Sequence, residues 1–589
     1  MNRQDWFGGP LYEKLAAYGA SDFYAFHMPG HKRLMGKFEN PFQIDITEID
    51  GFDDLHHPEA KGVLTEAQSR AARVFGAEET HFLVNGSTAG ILSAISACTK
   101  QGGTILMARN CHRSVYHGAE LRGLNTVYLY PQYISELGIN GAVLPEDVEN
   151  ALQKSVMEKK QRADKKTAGH SCENGKENRN RNHTDIQAVM LVSPTYDGVC
   201  SDVRQIAEIC HCYGVPLIVD QAHGAHFPFS EYFPEDAVSA GADVVIHSVH
   251  KTLPSMTQTA LLHVQGKLVN RERIRKFLSI YQSSSPSYVL MASIDACVDL
   301  IKRDGEELFE RHTRELRAFR ESCRDLKWLY LAGLDSEKDG IWQSEAKPAE
   351  FGQTADFDRS KLLISARRAN RAGAGLTGEE LSRMLRERYH IQMEMSGPDY
   401  VVGIAGIADS EEGFGRLAEA LHAIDRDIDD EITKNPIART NNIKIITEQS
   451  SMELKNIERK RAEKIRNRTK TNQTESVNKK EIQDCLNADD KACDESSALP
   501  RQEAVLTLSK AAEAESVSRP LKACEGAVAG IYVYLYPPGI PVLAPGEQVT
   551  AELLERIEKW LEAGYDVHGL EADSVGVPTL KILGNRYPE

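Results

Sequence analysis

Between residues 61 and 310 the chain repeats one unit: a short apolar run, a turn of small and polar residues, then a stretch with helical spacing. LTEAQSRAARVFG (64–76) has the helical spacing and stops at a glycine, as a helix does. THFLV, GGTILMA, AVMLV, VPLIVD and VVIH are apolar runs of strand length. Strands alternating with helices in this way predict a largely parallel sheet with crossover helices. In such a sheet the strand ends line the ligand crevice, so functional residues are sought directly after each apolar run.

The richest strand end is VVIHSVHKTLPSMTQTALLHV (244–264), a buried strand running into a polar loop that carries Lys251. An arbitrary lysine is a surface residue, since lysine is rarely buried without a partner. Here Ser248, His250, Ser255, Thr257, Gln258 and Thr259 surround it with hydroxyl and amide groups, a composition suited to a phosphate-bearing cofactor held as a Schiff base. VPLIVDQAHGAHF (215–227) ends its strand at Asp220, 31 positions before Lys251. A carboxylate there can serve as the pyridinium partner that pyridoxal phosphate requires. THFLVNGSTAGILSAISA places Ser87 and Thr88 at a helix start, where backbone N–H groups bind anions; Ser-Thr is equally an ordinary N-cap. GGTILMARNCHRSV ends at His112, and a lone histidine is more often structural than functional.

Taken together, HSVHK with its following TQT, DQAHGAH, FHMPGHK (26–32), NGSTAGI (85–91), RNCHRS (109–114) and the late YPPGIPVLAPGE (536–547) resemble the bacterial Orn/Lys/Arg decarboxylase family in order and over nearly the whole chain. The resemblance implies an α/β chain of pyridoxal-phosphate fold type I: a mostly parallel central sheet, a smaller α/β domain and a C-terminal α+β domain. It implies pyridoxal 5′-phosphate on Lys251, with Asp220 at the ring nitrogen, His112 stacked on the ring, and Ser87, Thr88, Ala222, His223, Ser248 and His250 around the cofactor. A serine of the YQSSSPS loop, Ser284, would reach the phosphate of a neighbouring subunit, hence a homodimer or larger homo-oligomer. The expected reaction is decarboxylation of a basic L-amino acid, arginine ahead of lysine or ornithine, with Lys251 or His250 returning a proton to Cα. Asp53, Asp54, Glu394 and Glu547 are the candidate partners of the substrate's cationic tail.

Aminotransferases of this fold commonly carry an arginine in the strand corresponding to YVVGIAG (400–406), and none stands there. A decarboxylase gains nothing from clamping a carboxylate whose charge disappears in the transition state. The absence therefore speaks against transamination, which stands as an alternative beside carbon–sulfur lysis on the same cofactor; a noncatalytic interaction protein is the further alternative. The chain also departs from the family at Gln221, where Glu is frequent, and a side chain next to Asp220 in an extended strand end is expected to point away from the ring.

The expected organisation is an N-terminal arm (1–60), a large domain (61–310) with a disordered charged insertion (153–185), a small α/β domain (311–432), a charged linker (433–519) and a C-terminal domain (520–589). With 41% hydrophobic residues the 589-residue chain has ample material for several cores, and no apolar run approaches the ~20 residues that cross a bilayer. The opening MNRQDWFGGPLYEKL has no targeting character, and eleven scattered cysteines read as reduced thiols, so a cytoplasmic location is expected. A net charge of −16 argues against nucleic acid. FHMPGHK holds Pro-Gly between His27 and His31, which keeps them off one helical face, and no metal is expected.

Overall fold

The computed structural model describes residues 21–32, 41–46, 49, 52–167, 184–333, 355–434, 499–536, 539–562, 564–574 and 576–584. Its centre is a seven-stranded sheet made of β1 (Glu79–Leu83), β2 (Thr104–Ala108), β3 (Asn125–Leu129), β4 (Ile186–Val192), β5 (Leu217–Asp220), β6 (Val244–His247) and β7 (Ala260–Val264). The spatial order is β1-β7-β6-β5-β4-β2-β3. All neighbours are parallel except β7, antiparallel to both β6 and β1. Residues of β4 to β7 are buried on both faces, which is why these strands read as continuous apolar runs rather than alternating ones. Helices cover the sheet, among them α1 (Gly86–Cys98) and α2 (Arg113–Leu121).

Lys251 lies not in an open loop but in a single helical turn, α3 (Val249–Thr252), directly after β6. Ser248, fully buried, follows the strand as the N-cap of the turn, and the i to i−4 bond from Leu253 N–H to Val249 O closes that turn. The FHMPGHK arm braces it from the other side. Tyr24–Phe26 pairs in parallel with Ile391–Met393 of the small domain, and Gly30 N–H donates to His250 O at 2.8 Å. A Cβ on Gly30 would stand 2.7 Å from the backbone of Thr252, so only glycine permits this approach. Lys32, 6% exposed, donates to the carbonyls of Ala25, His27 and Ile404. Its ion pair with Asp409 (3.8 Å) completes the weld between arm and small domain.

The small domain is a four-stranded antiparallel sheet, β8 (Tyr330–Leu331), β9 (Lys361–Ser365), β10 (Met395–Ser396) and β11 (Tyr400–Ile404), in the order β8-β9-β11-β10. The C-terminal region forms two three-stranded antiparallel sheets with the helix Ala551–Glu562.

Three expected boundaries move. The helix Pro145–Thr167 continues into the segment expected to be disordered, because its Lys159 and Arg162 pair with Asp185 and Ser155 bonds to Thr184 and Asp185; residues 168–183 lie outside the described residues. The boundary at 310 falls inside one continuous helix, α4 (Tyr288–Ser322), whose apolar face serves both domains. The C-terminal domain begins before 520: Ser516–Pro520 is an edge strand paired with Pro578–Leu583, and Leu508 and Ala511 are buried. Of the charged linker, 435–498 lies outside the described residues. Among the described residues no helix is long and apolar enough to cross a membrane.

Candidate active site

The ends of β5 and β6 bring Asp220 and Lys251 together. Asp220 is 4% exposed, and its Oδ1 accepts Ala222 N–H at 3.1 Å. Burial raises the Asp220 carboxyl above the usual carboxylate range, and the Lys251 charge opposes that rise. Burial likewise lowers the Lys251 amine, against the pull of Asp220 and Glu394. A half-buried lysine with a lowered pKa beside a buried carboxylate suits covalent attachment to an aldehyde.

Between Lys251 and the small domain stands His223. Its Nε2 is 2.9 Å from Lys251 Nζ and its Nδ1 is 2.7 Å from Nζ of Lys361. Burial, with the two lysine charges next, holds the imidazole neutral and far below its ordinary pKa. Tyr196 packs edge-on to His223 at 4.7 Å, lies 5.4 Å under Lys361 Nζ, and donates its hydroxyl to Glu394 Oε1 at 2.5 Å. Glu394 Oε2 accepts Met28 N–H at 2.9 Å. The same carboxylate borders a cleft of about 330 Å³ between the small and C-terminal domains, walled by Tyr400, Leu535, Tyr536 and Tyr565.

His112 caps α2, its Nδ1 accepting Ser114 N–H at 3.3 Å and lying 2.8 Å from Ser114 Oγ. Burial and the Lys251 charge push its pKa down to about 3. The C-terminal domain reaches this histidine through Gly539, whose carbonyl accepts Arg113 N–H. His250 Nδ1 donates to Thr259 O at 2.8 Å, and burial lowers its pKa to about 4. Ser87 and Thr88 occupy the first turn of α1, after Gly86 in the left-handed region (φ 75°). Ser284 is exposed in the loop that bonds back to the same turn through Ser283 N–H and Asn85 Oδ1. Ala222 is buried beside Asp220.

Three of the four candidate acids have other work. Asp53 accepts Glu59 N–H and Leu64 N–H, one per carboxylate oxygen, and so closes the turn before the helix Val63–Phe75. Asp54 Oδ1 takes His56 N–H. Glu547 is 1% exposed, ion-paired at 3.0 Å with the fully buried Arg109, and accepts Ala544 N–H; it joins the C-terminal domain to the sheet rather than facing a substrate. Only Glu394 lies within electrostatic reach of Lys251. Gln221 is turned toward His247 Nε2 (2.8 Å) and Ala237 N–H (3.1 Å), not toward Lys251.

Lys361 and Tyr196 were not found by sequence reasoning. A lysine opening an apolar strand reads as that strand's solvated end, and nothing in KLLIS shows that the end enters a site built 110 residues earlier.

The residues fit pyridoxal phosphate. Ser248 Oγ is fully buried with no hydrogen-bond partner among the described residues, an unmet donor next to Lys251, and the first turn of α1 offers backbone N–H groups to a phosphate. Lys251 supplies the amine and Asp220 the carboxylate for a ring nitrogen. Among the described residues no three His, Cys, Asp or Glu side chains are grouped to hold a metal ion.

Comparison with known proteins agrees over the full length. The model of the Orn/Lys/Arg decarboxylase major domain matches residues 9–412, and that of the Orn/Lys/Arg decarboxylase C-terminal domain matches 491–587. Arginine decarboxylase of Bacillus subtilis (strain 168) is 29% identical over 570 residues, 95% of each chain. Arginine decarboxylase of Bacillus anthracis is 28% identical over 598 residues and all of both chains. The constitutive lysine decarboxylase of E. coli shares the fold, with a TM-score of 0.67 at 20% identity over 99% of this chain and 82% of that one.

Proposed function

Given that this chain belongs to the Orn/Lys/Arg decarboxylase family, and is thereby a pyridoxal-phosphate-dependent decarboxylase of basic amino acids, we propose that its substrate is L-arginine and its products agmatine and CO2. Support for arginine comes from the two Bacillus arginine decarboxylases, similar over 95% or more of this chain. The observation that carries the site is the meeting of half-buried Lys251, in the helical turn after β6, with buried Asp220 at the end of the adjacent strand β5.

Lys251 would hold the cofactor, Asp220 its ring nitrogen, and His112 its ring; Ser87, Thr88 and Ser248 would hold its phosphate, with Ala222, His223 and His250 completing the wall. Bound there, pyridoxal phosphate supplies the electron sink for the pair left on Cα when CO2 departs. Glu394 receives the cationic tail, and its two hydrogen bonds, from Tyr196 and Met28, hold the carboxylate in place before substrate arrives. Lys251 returns the proton to Cα. His250 is a poor acid at neutral pH, since it is neutral and its one N–H is committed to Thr259 O. With the strand Tyr400–Ile404 carrying no arginine, the substrate carboxylate meets no guanidinium from β11. Ser284 would serve the phosphate site of a second subunit, and the protein would work in the cytoplasm as a homodimer or larger homo-oligomer.

The test is product analysis of the purified protein with pyridoxal phosphate and each of arginine, lysine and ornithine. Agmatine with CO2 release is expected. Cadaverine or putrescine in its place would reassign the substrate, and keto acid without CO2 would overturn the reaction.

A further inference from the structure

We propose that Lys361 is a positioning residue that holds one proton in common with Lys251 through the His223 ring. Lys251 then becomes a neutral amine, and recovers its proton, without exchange with water.

Both ring nitrogens of His223 contact a lysine Nζ, at 2.9 Å for Lys251 and 2.7 Å for Lys361. A neutral imidazole has one N–H and one lone pair; an ammonium has three N–H groups and no lone pair. Two ammonium groups would both have to donate to a ring with a single acceptor. Both contacts are satisfied only when the lysine facing the ring N–H is a neutral amine. A doubly protonated ring is no escape, since burial by itself, the largest cause, disfavours a charged His223 ring.

The shift between the two states balances. Lys251 gives a proton to His223 Nε2 while Nδ1–H passes its proton to the lone pair of Lys361, breaking two N–H bonds, forming two, and leaving the net charge unchanged. The reverse restores the ammonium on Lys251, ready to protonate a carbon. From His223 inward the path is dry, as Lys361 is fully buried and His223 is 5% exposed, while Lys251 is half-buried.

Carboxylates surround both amines. Asp358, Glu394 and Asp197 face Lys361, whose pKa burial lowers to about 8. Asp220 and Glu394 face Lys251. His250 and His112 face His223, and both are neutral near pH 7. The sheet holds the geometry: Lys361 pairs with Ile404 in β11, and its N–H donates to Asp358 O.

The proposal rests on Lys251 being the residue that takes the cofactor, so the experiment reads that residue directly. Apoprotein is mixed with pyridoxal phosphate from pH 7 to pH 9, attachment is followed by absorbance, and the product is trapped with borohydride and mapped. Reagent ionisation is common to every protein compared, so the readout is the ratio of rates. In Lys361→Met the Lys251 proton must leave to water, and the wild-type to variant ratio is expected to rise about tenfold per pH unit as pH falls below the variant's own lysine pKa. Lys361→Arg holds a charge it cannot release, so Nε2–H always faces Lys251. Attachment then stays as fast as in the wild type while kcat falls at least tenfold at unchanged KM. A pH-independent ratio for Lys361→Met, or wild-type kcat in Lys361→Arg, would overturn the proposal; should Lys361→Met fail to fold, the arginine variant decides alone. Labelling away from Lys251 would sink the active-site reading itself, whereas labelling at Lys251 with a flat ratio sinks only the shared proton.

Discussion

Asp220, Lys251 and the turn at Ser87 each follow an apolar run, and each ends up at the C-terminal end of a strand on the same side of the sheet. Lys361 has no such signal, because its place depends on a strand from another domain. Two outcomes are expected at this scale. Lys251→Ala should bind no covalent chromophore and should lose at least about 10²-fold in turnover, the usual contribution of a proton donor alone; absorbance and CO2 release check both. Glu394→Gln keeps the shape and removes the charge, so KM for arginine should rise roughly 30-fold or more, which is ~2 kcal/mol, the low end for losing one partner of a desolvated charge pair. An unchanged KM in steady-state kinetics would move the cationic tail elsewhere.

Among elements, the arm and the C-terminal domain both converge on the short helix and the histidine beside it. Gly30 lies against Thr252 and Leu253, and Gly539 against His112. Gly30→Ala should force the Lys251 turn aside. We expect a loss of about 1–3 kcal/mol in urea unfolding, together with weaker cofactor retention on dialysis. The Arg109–Glu547 pair is the main polar joint between sheet and C-terminal domain, with Arg109 also donating to Pro541 O and Val542 O. Glu547→Gln should cost about 3–5 kcal/mol, because it strands a guanidinium where no water reaches. Replacing both with methionine should be milder than that single change, since two apolar side chains leave no charge unpaired; thermal melts of the three variants test the order. Strand ends, caps and helix stops in this region follow local chemistry, as with Gly76 closing the helix Val63–Phe75 in the left-handed conformation. The joints between domains do not.

For the whole molecule, buried neutral histidines set the acid limit. His112 and His312 are pushed down to about 3 and His250 to about 4, in each case chiefly by burial. Unfolded, each titrates near 6.5, so between about pH 4 and 6.5 the unfolded chain binds more protons and stability rises with pH. Each contributes about 1.4 kcal/mol per pH unit in that window, all of it present above pH 6.5 and lost as pH falls. The urea midpoint is expected to be flat from pH 7 to 8 and to drop steeply below pH 6; a midpoint unchanged at pH 5 would show that these rings protonate in the folded state. Sedimentation should find a dimer or larger at micromolar concentration, as the Ser284 assignment requires. The α/β class, the strand ends and the candidates Asp220 and Lys251 were legible in the chain alone, because periodicity and turn chemistry act over a few residues. Which acids stay free for a substrate, and that Lys361 and Tyr196 stand against His223, emerged only from the fold. Asp53 is spent on backbone amides 6 and 11 residues on, but whether a carboxylate joins an ion pair, as at Glu547, or is left facing a cleft, as at Glu394, depends on groups hundreds of residues away. For those two acids the distant groups, not local spacing, set the role.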